Sequence, residues 1–210
     1  MRSSRNHWFL EKIELSKIKY FKINMPKLYF YYGAMNSSKS TNLLMVTHNY
    51  ESQGKKPLLI KPKLDTRFGD DVIMSRTGLS KKANIILDTE DSLLNNGVNY
   101  YDYDVIIVDE ANFLTPKQIK ELRTLTSILP VLAYGLKTNY KLELFPGSAM
   151  LLCIADNIVE IKTICHFCEK KAIFNMKHIN GKAIKEGSDE PDLGTEDKYL
   201  ACCWECYNKH

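Results

Sequence analysis

Apolar and polar positions divide this chain into a long front part and a shorter back part of different texture. Leu28–Tyr32 is an aromatic-rich apolar run that suits a buried strand. Gly33 ends it, and residues 39–52 then continue with few breakers to Gly54, predicting a helix closed by a glycine. Residues 57–60 read as a second strand. Residues 65–100 are polar and broken, with "DTRFGDD" and "NNGVN" marking loops. Val105–Val108 is a continuous apolar run ending in Asp109 and Glu110, the pattern of a parallel strand covered on both faces. Thr115, Pro116 and Gln118 open a helix, with Thr as cap, Pro in the first turn and Gln three after the cap. Residues 130–135 and 150–154 read as two more strands. From about Ile158 the chain turns to short β segments, cysteines and a Gly-containing loop with no helical period.

Strand, loop, helix and strand in alternation predict an α/β fold with right-handed crossovers and a mainly parallel sheet flanked by helices. The domain expectation is a basic extension over 1–24, an α/β domain over 25–157 whose first loop (33–41) is taken up below, and a β-rich lobe over 158–210.

Charge changes this picture at one end only. Residues 1–24 hold six Lys or Arg against Glu11 and Glu14, and the rest of the chain is neutral overall. A neutral body argues against a nucleic-acid surface, which needs clustered positive charge. The arm reads as a disordered extension, or as sequence upstream of a natural start at Met25. With 44% hydrophobic and 26% charged residues the composition is that of a soluble protein. No apolar run nears the roughly 18–20 residues of a membrane span, and no secretory pattern is present. The expected location is the cytoplasm.

Three constellations carry chemistry. "GAMNSSKST" (33–41) has nearly the spacing of a phosphate-binding loop, G-x-x-x-x-G-K-[ST], but Ser38 stands in place of the second glycine. Such a turn aims backbone N–H groups and a helix N-terminus at an anion. Lys39 would reach the β- and γ-phosphates, and Ser40 would hold Mg2+. Alone, the stretch also fits an ordinary helix start. "VIIVDE" lies about 70 residues on. An acid at the end of a buried strand sits beside the phosphate loop in nucleotide-binding α/β folds. Asp109 would orient magnesium through water, and Glu110 would accept a proton from an attacking hydroxyl. The third is "CHFC" (165–168) with "CWEC" (203–206), 34 residues apart. Cys165, Cys168, Cys203 and Cys206 supply four thiolates for a structural Zn2+ with no open position. Cys202 is an alternative fourth ligand and His166 a weaker one. Cys153 reads as apolar core.

Together these stretches resemble the type II thymidine kinases, the class of the bacterial and vertebrate cytosolic enzymes. The resemblance runs from about Met25 to Tyr207 and looks especially close to the enterobacterial enzymes. It is carried by "LYFYYGAMNSSKST", "DTRFGDDVIMSRTGLS", "VIIVDEANFLT", "VLAYGLKTNYKLELFPGS", "EIKTICHFC" and "LGTEDKYLACCWEC". It implies transfer of the γ-phosphoryl of ATP to the 5′-hydroxyl of thymidine, giving dTMP for nucleotide salvage. Glu110 would be the proton acceptor, with Lys39 and Arg67 serving the transferred group. The nucleotide and its magnesium would lie on Gly33, Ala34, Met35, Asn36, Ser37, Ser38, Lys39, Ser40 and Thr41, with Asp109, Glu110, Ala111 and Asn112. Thymidine would meet Met35, Phe113, Leu136, Tyr140 and Tyr199. A lid at about 190–199 would add Asp192, Leu193 and Gly194, pinned at its ends by the zinc lobe. A homotetramer without nucleic-acid or membrane partners is implied as well.

Three positions depart from the family pattern. Ser38 replaces a glycine, Asn112 stands where Gln is usual, and Asn139 stands where an acid is found. If position 38 needs positive φ, serine costs about 1–2 kcal/mol there, enough to weaken ATP binding about five- to thirtyfold. The departures leave open a weakened or differently specific deoxynucleoside kinase. A more distant alternative is a zinc-ribbon nucleic-acid module on a degenerate NTPase scaffold.

Overall fold

The computed structural model describes residues 26–67, 69–179, 181–187 and 198–210. The lid positions Asp192, Leu193 and Gly194 lie outside these residues, as does the basic extension. In order come β1 (Leu28–Tyr32), α1 (Lys39–Ser52), β2 (Pro57–Pro62), β3 (Val72–Met74), β4 (Ser80–Lys82), β5 (Ile85–Leu87), β6 (Val105–Val108), α2 (Pro116–Leu125), β7 (Val131–Gly135), α3 (Pro146–Ile154) and β8 (Asn157–Glu160). The back part holds β9 (Thr163–Ile164), β10 (Lys171–Ala172), β11 (Phe174–Ile179), β12 (Lys182–Ile184), β13 (Tyr199–Cys202) and α4 (Trp204–Lys209).

Six strands form one sheet in the order β5-β2-β6-β7-β1-β8, and every pairing in it is parallel. Because side chains alternate across a strand, each apolar run feeds two cores. Leu28, Phe30, Leu58, Ile60, Ile106, Val108, Val131 and Ala133 face α2 and α3. Leu59, Val105, Ile107, Leu132 and Tyr134 face Leu43 and Leu44 of α1. This double coverage is why these strands read as unbroken apolar runs. Thr115 caps α2 through a full capping box with Gln118, as the sequence predicts.

Three expectations are corrected. Residues 150–154 are the end of helix α3, not a strand. The strand that closes the sheet edge is β8, so the sheet continues to Glu160, past the change of texture at 158. Cys153 is exposed on α3 rather than core. The broken region 65–100 contains three short strands, and a short helix, α4, ends the back part.

The back part adds small antiparallel sheets, β10-β9 and β12-β11-β13. Its core unites Cys165, Met176, Ala201, Cys202, Cys203 and Tyr207 with Ala34 from the phosphate loop. The two parts therefore share side chains at the loop that matters most.

Candidate active site

The loop after β1 turns tightly around a glycine. A β-carbon at Gly33 would collide with the Ile161 carbonyl and the Ser37 hydroxyl, so only glycine fits. Asn36 and Ser38 both take left-handed backbone at φ 63°, and Ser38 with ψ 29° is the N-cap of α1. The Lys39 ammonium folds back onto the carbonyls of Gly33 and Ala34 at 3.2 and 2.9 Å. Burial lowers its pKa, with Glu110 and Asp109 opposing. Ser40 on the first turn of α1 donates to Asp109 at 3.2 Å. That hydroxyl–carboxylate pair at the end of β6 is the donor set a magnesium ion with phosphate oxygens requires. Burial, with the charges of Glu110 and Asp65, pushes the Asp109 carboxyl up to about 7; a divalent cation would hold it ionised.

Glu110 follows in left-handed backbone, φ 45°. Such strain concentrates at sites where a side chain must be aimed. Its Oε1 accepts a hydrogen bond from the Arg67 guanidinium, and its buried Oε2 has no partner among the described residues. Arg67 also donates from Nε to Asp65 at 2.7 Å. Burial alone would lower the Arg67 pKa, but the Glu110 and Asp65 carboxylates win and raise it. Behind them Lys61, fully buried, approaches Asp65 at 3.6 Å. The chain Lys61–Asp65–Arg67–Glu110 thus alternates in sign from the core to the cavity.

A cavity of about 800 Å3 joins these groups to an aromatic pocket. Its lining includes Met35, Phe113, Leu136, Tyr140 and Tyr199, so the described members of the expected thymidine set converge. Phe113 meets Phe145 edge-on at 5.5 Å, and Tyr140 lies 6.3 Å from Tyr199. Of the expected phosphate-side set, Gly33, Ala34 and Ala111 do not line the cavity, whereas Thr41 and Asn112 do. Asn112 accepts from the Leu136 N–H at 2.9 Å, which fixes the pocket's Leu136, and its Nδ2 is buried without a partner among the described residues. Asn139 builds a tight loop: its Oδ1 accepts from Lys141 and Glu143 N–H at 2.9 and 3.0 Å. Its Nδ2 donates to the Glu143 carboxylate at 2.9 Å, a contact an acid at this position would turn into repulsion.

Some site residues escape the sequence reading. Asn175 on β11 accepts from the Met35 N–H at 2.7 Å, tying the back part to the phosphate loop. No local spacing signals a contact across 140 residues. Asp65, Arg76 and Phe145 lie within the stretches that carry the family resemblance, and that is the one signal that points to them.

The sulfur atoms of Cys165, Cys168, Cys203 and Cys206 all lie within 4.8 Å of one another, and none is in a disulfide. Cys168 is 3.7 Å from both Cys203 and Cys206. Four thiolates about 2.3 Å from zinc have tetrahedral edges of about 3.8 Å, so this donor set fits that ion. Cys202 and His166 stand outside the cluster. Burial pushes the Cys202 thiol up to about 12, the state of an inert core thiol.

Comparison with known proteins gives this geometry its family. The chain is 44% identical over 193 residues to a thymidine kinase of Legionella pneumophila, covering 85% of this chain and 88% of that one. It is 42% identical over 189 residues to thymidine kinases of Lactococcus lactis and Francisella tularensis, covering 88% and 85% of this chain and 98% and 95% of theirs. Among solved structures, a chain from a study of Pif1 helicases at forked DNA aligns over 70% of this chain and 42% of its own. Its TM-score of 0.37 and 17% identity are too slight to bear on function. The family model for thymidine kinase matches residues 26–207. This chain belongs to the thymidine kinase family.

Proposed function

We propose that the chain transfers the γ-phosphoryl group of ATP to the 5′-hydroxyl of thymidine, with Glu110 as the base. The observation that carries this reading is Glu110 Oε2, which has no partner among the described residues and is buried in the cavity shared by the phosphate loop and the aromatic pocket. Arg67 occupies the other oxygen of that carboxylate. Oε2 therefore takes the proton of the 5′-hydroxyl as its oxygen bonds to the γ-phosphorus. The bond from that phosphorus to the bridging oxygen breaks, and ADP leaves.

The protein's work is positioning and charge. Loop N–H groups and the N-terminus of α1 receive the phosphates. Lys39 exchanges its loop carbonyls for phosphate oxygens, and Arg67 aligns Glu110 while adding positive charge near the transferred group. Ser40 and Asp109 are the side chains to hold magnesium, which with ATP supplies charge neutralisation across the phosphates. Leu136, Phe113, Met35, Tyr140 and Tyr199 take the base, and the expected lid with Asp192, Leu193 and Gly194 covers it. Zinc on the four cysteines supplies a cross-link that replaces a larger core. No described helix is long and apolar enough to cross a membrane; cytoplasmic residence and a homotetramer are part of the proposal by family resemblance.

Incubating the protein with ATP, Mg2+ and a panel of deoxynucleosides tests the reading. Thymidine is expected to give dTMP ahead of the deoxycytidine and purine substrates. No thymidine phosphorylation, together with tight salt-sensitive DNA binding, contradicts it.

A further inference from the structure

One more cation lines the cavity that holds the phosphate loop. Arg76 is an exposed residue on the turn between β3 and β4, and it lines the same cavity as Lys39 and Arg67. The turn is built to hold it. Ser75 is buried, its N–H donates to the Leu79 carbonyl at 2.8 Å, and its hydroxyl bonds that of Thr77 at 2.8 Å. Gly78 closes the turn at φ 85°, where a side chain would be strained.

The hairpin below is pinned at three points. Ile73 is packed in the core beneath α1. Lys61 donates to the Val72 and Gly69 carbonyls at 2.9 and 3.2 Å. Lys81 pairs with Glu51 of α1.

Arg67 bridges Asp65 and Glu110. Pulling it onto a phosphate would strip both buried carboxylates of their counter-charge, a costly exchange. The transferring phosphoryl group nonetheless needs cationic donors around its equatorial oxygens. We propose that Arg76 is a phosphate-contacting catalytic residue that reaches the γ-phosphoryl oxygens from the β3–β4 turn, while Arg67 stays with Asp65 and Glu110. A guanidinium suits the task because its fork matches two phosphate oxygens at once. The Arg76 charge is felt at Lys39: burial is the main cause of the lowered Lys39 pKa, Glu110 and Asp109 oppose it, and the charges of Arg67 and Arg76 add smaller amounts.

This inference rests on the proposed kinase function, so its test carries a binding measurement as well as turnover. Arg76→Ala is expected to lower kcat about 100-fold and weaken ATP binding about tenfold, with the thymidine KM within about threefold. Added guanidinium ion should restore about tenfold of the lost rate to Arg76→Ala and none to wild type. Arg76→Lys, which keeps the charge but not the fork, should fall between the two. A kcat and ATP affinity both within about threefold of wild type overturn the proposal. So does a loss that guanidinium leaves unchanged in protein of normal zinc content and melting temperature. Should the wild type phosphorylate no nucleoside, the proposed function fails, and the ATP affinity of Arg76→Ala still decides this proposal.

Discussion

Ser38 sits in left-handed backbone at φ 63° and ψ 29°, where the family pattern has glycine. A serine there costs about 1–2 kcal/mol. A loop that keeps this backbone with and without ATP places that cost on folding and spares ATP binding. The sequence alone located the substitution and assigned its cost to ATP binding, because φ is not written in residue types. Ser38→Gly relieves the strain but loosens the unfolded chain by about 0.5–1 kcal/mol. The net is a gain of about 0–1.5 kcal/mol, a rise of at most about 3–6 °C in melting temperature. ATP affinity should change less than about twofold. An unchanged melting temperature with affinity improved about five- to thirtyfold would place the cost on binding instead. Asn139 and Asn112 are likewise explained by contacts. The first ties a loop to Glu143, and the second fixes Leu136.

At the scale of elements, β1, β2, β6 and β7 were legible because strands buried on both faces leave continuous apolar runs. The run at 150–154 looked the same and is helix. Short apolar runs do not separate the two states by periodicity. Here Pro146 starts α3 at its first turn, and the sheet takes its next strand from Asn157–Glu160 instead. The cysteine lobe was legible for a different reason, since ligand spacing is a chemical constraint rather than a packing one. The adjacent pair Cys202 and Cys203 is resolved by geometry, which places only Cys203 among the four. Cys203→Ser is expected to lose the bound zinc, whereas Cys202→Ser keeps about one zinc per chain by elemental analysis of purified protein. The reverse pattern would reassign the site.

Across the whole molecule, the site is assembled from pieces that the sequence keeps far apart. The loop after β1, the acids after β6, Arg67 and the aromatic pocket meet in one cavity. Their order along the chain was readable, as ends of parallel strands gather at one edge of an α/β sheet. The pairing of Arg67 with Glu110 was not, nor was the clamp of Asn175 on Met35, because both depend on tertiary packing. The central claim is that Glu110 carries the proton through Oε2, the oxygen Arg67 leaves open among the described residues. Its most direct test is single-turnover phosphorylation of thymidine by Glu110→Gln, with ATP and thymidine affinities and zinc content measured on the same protein. The account predicts a rate at least about 10³-fold below wild type, with binding and zinc retained. Turnover near the wild-type rate would contradict it.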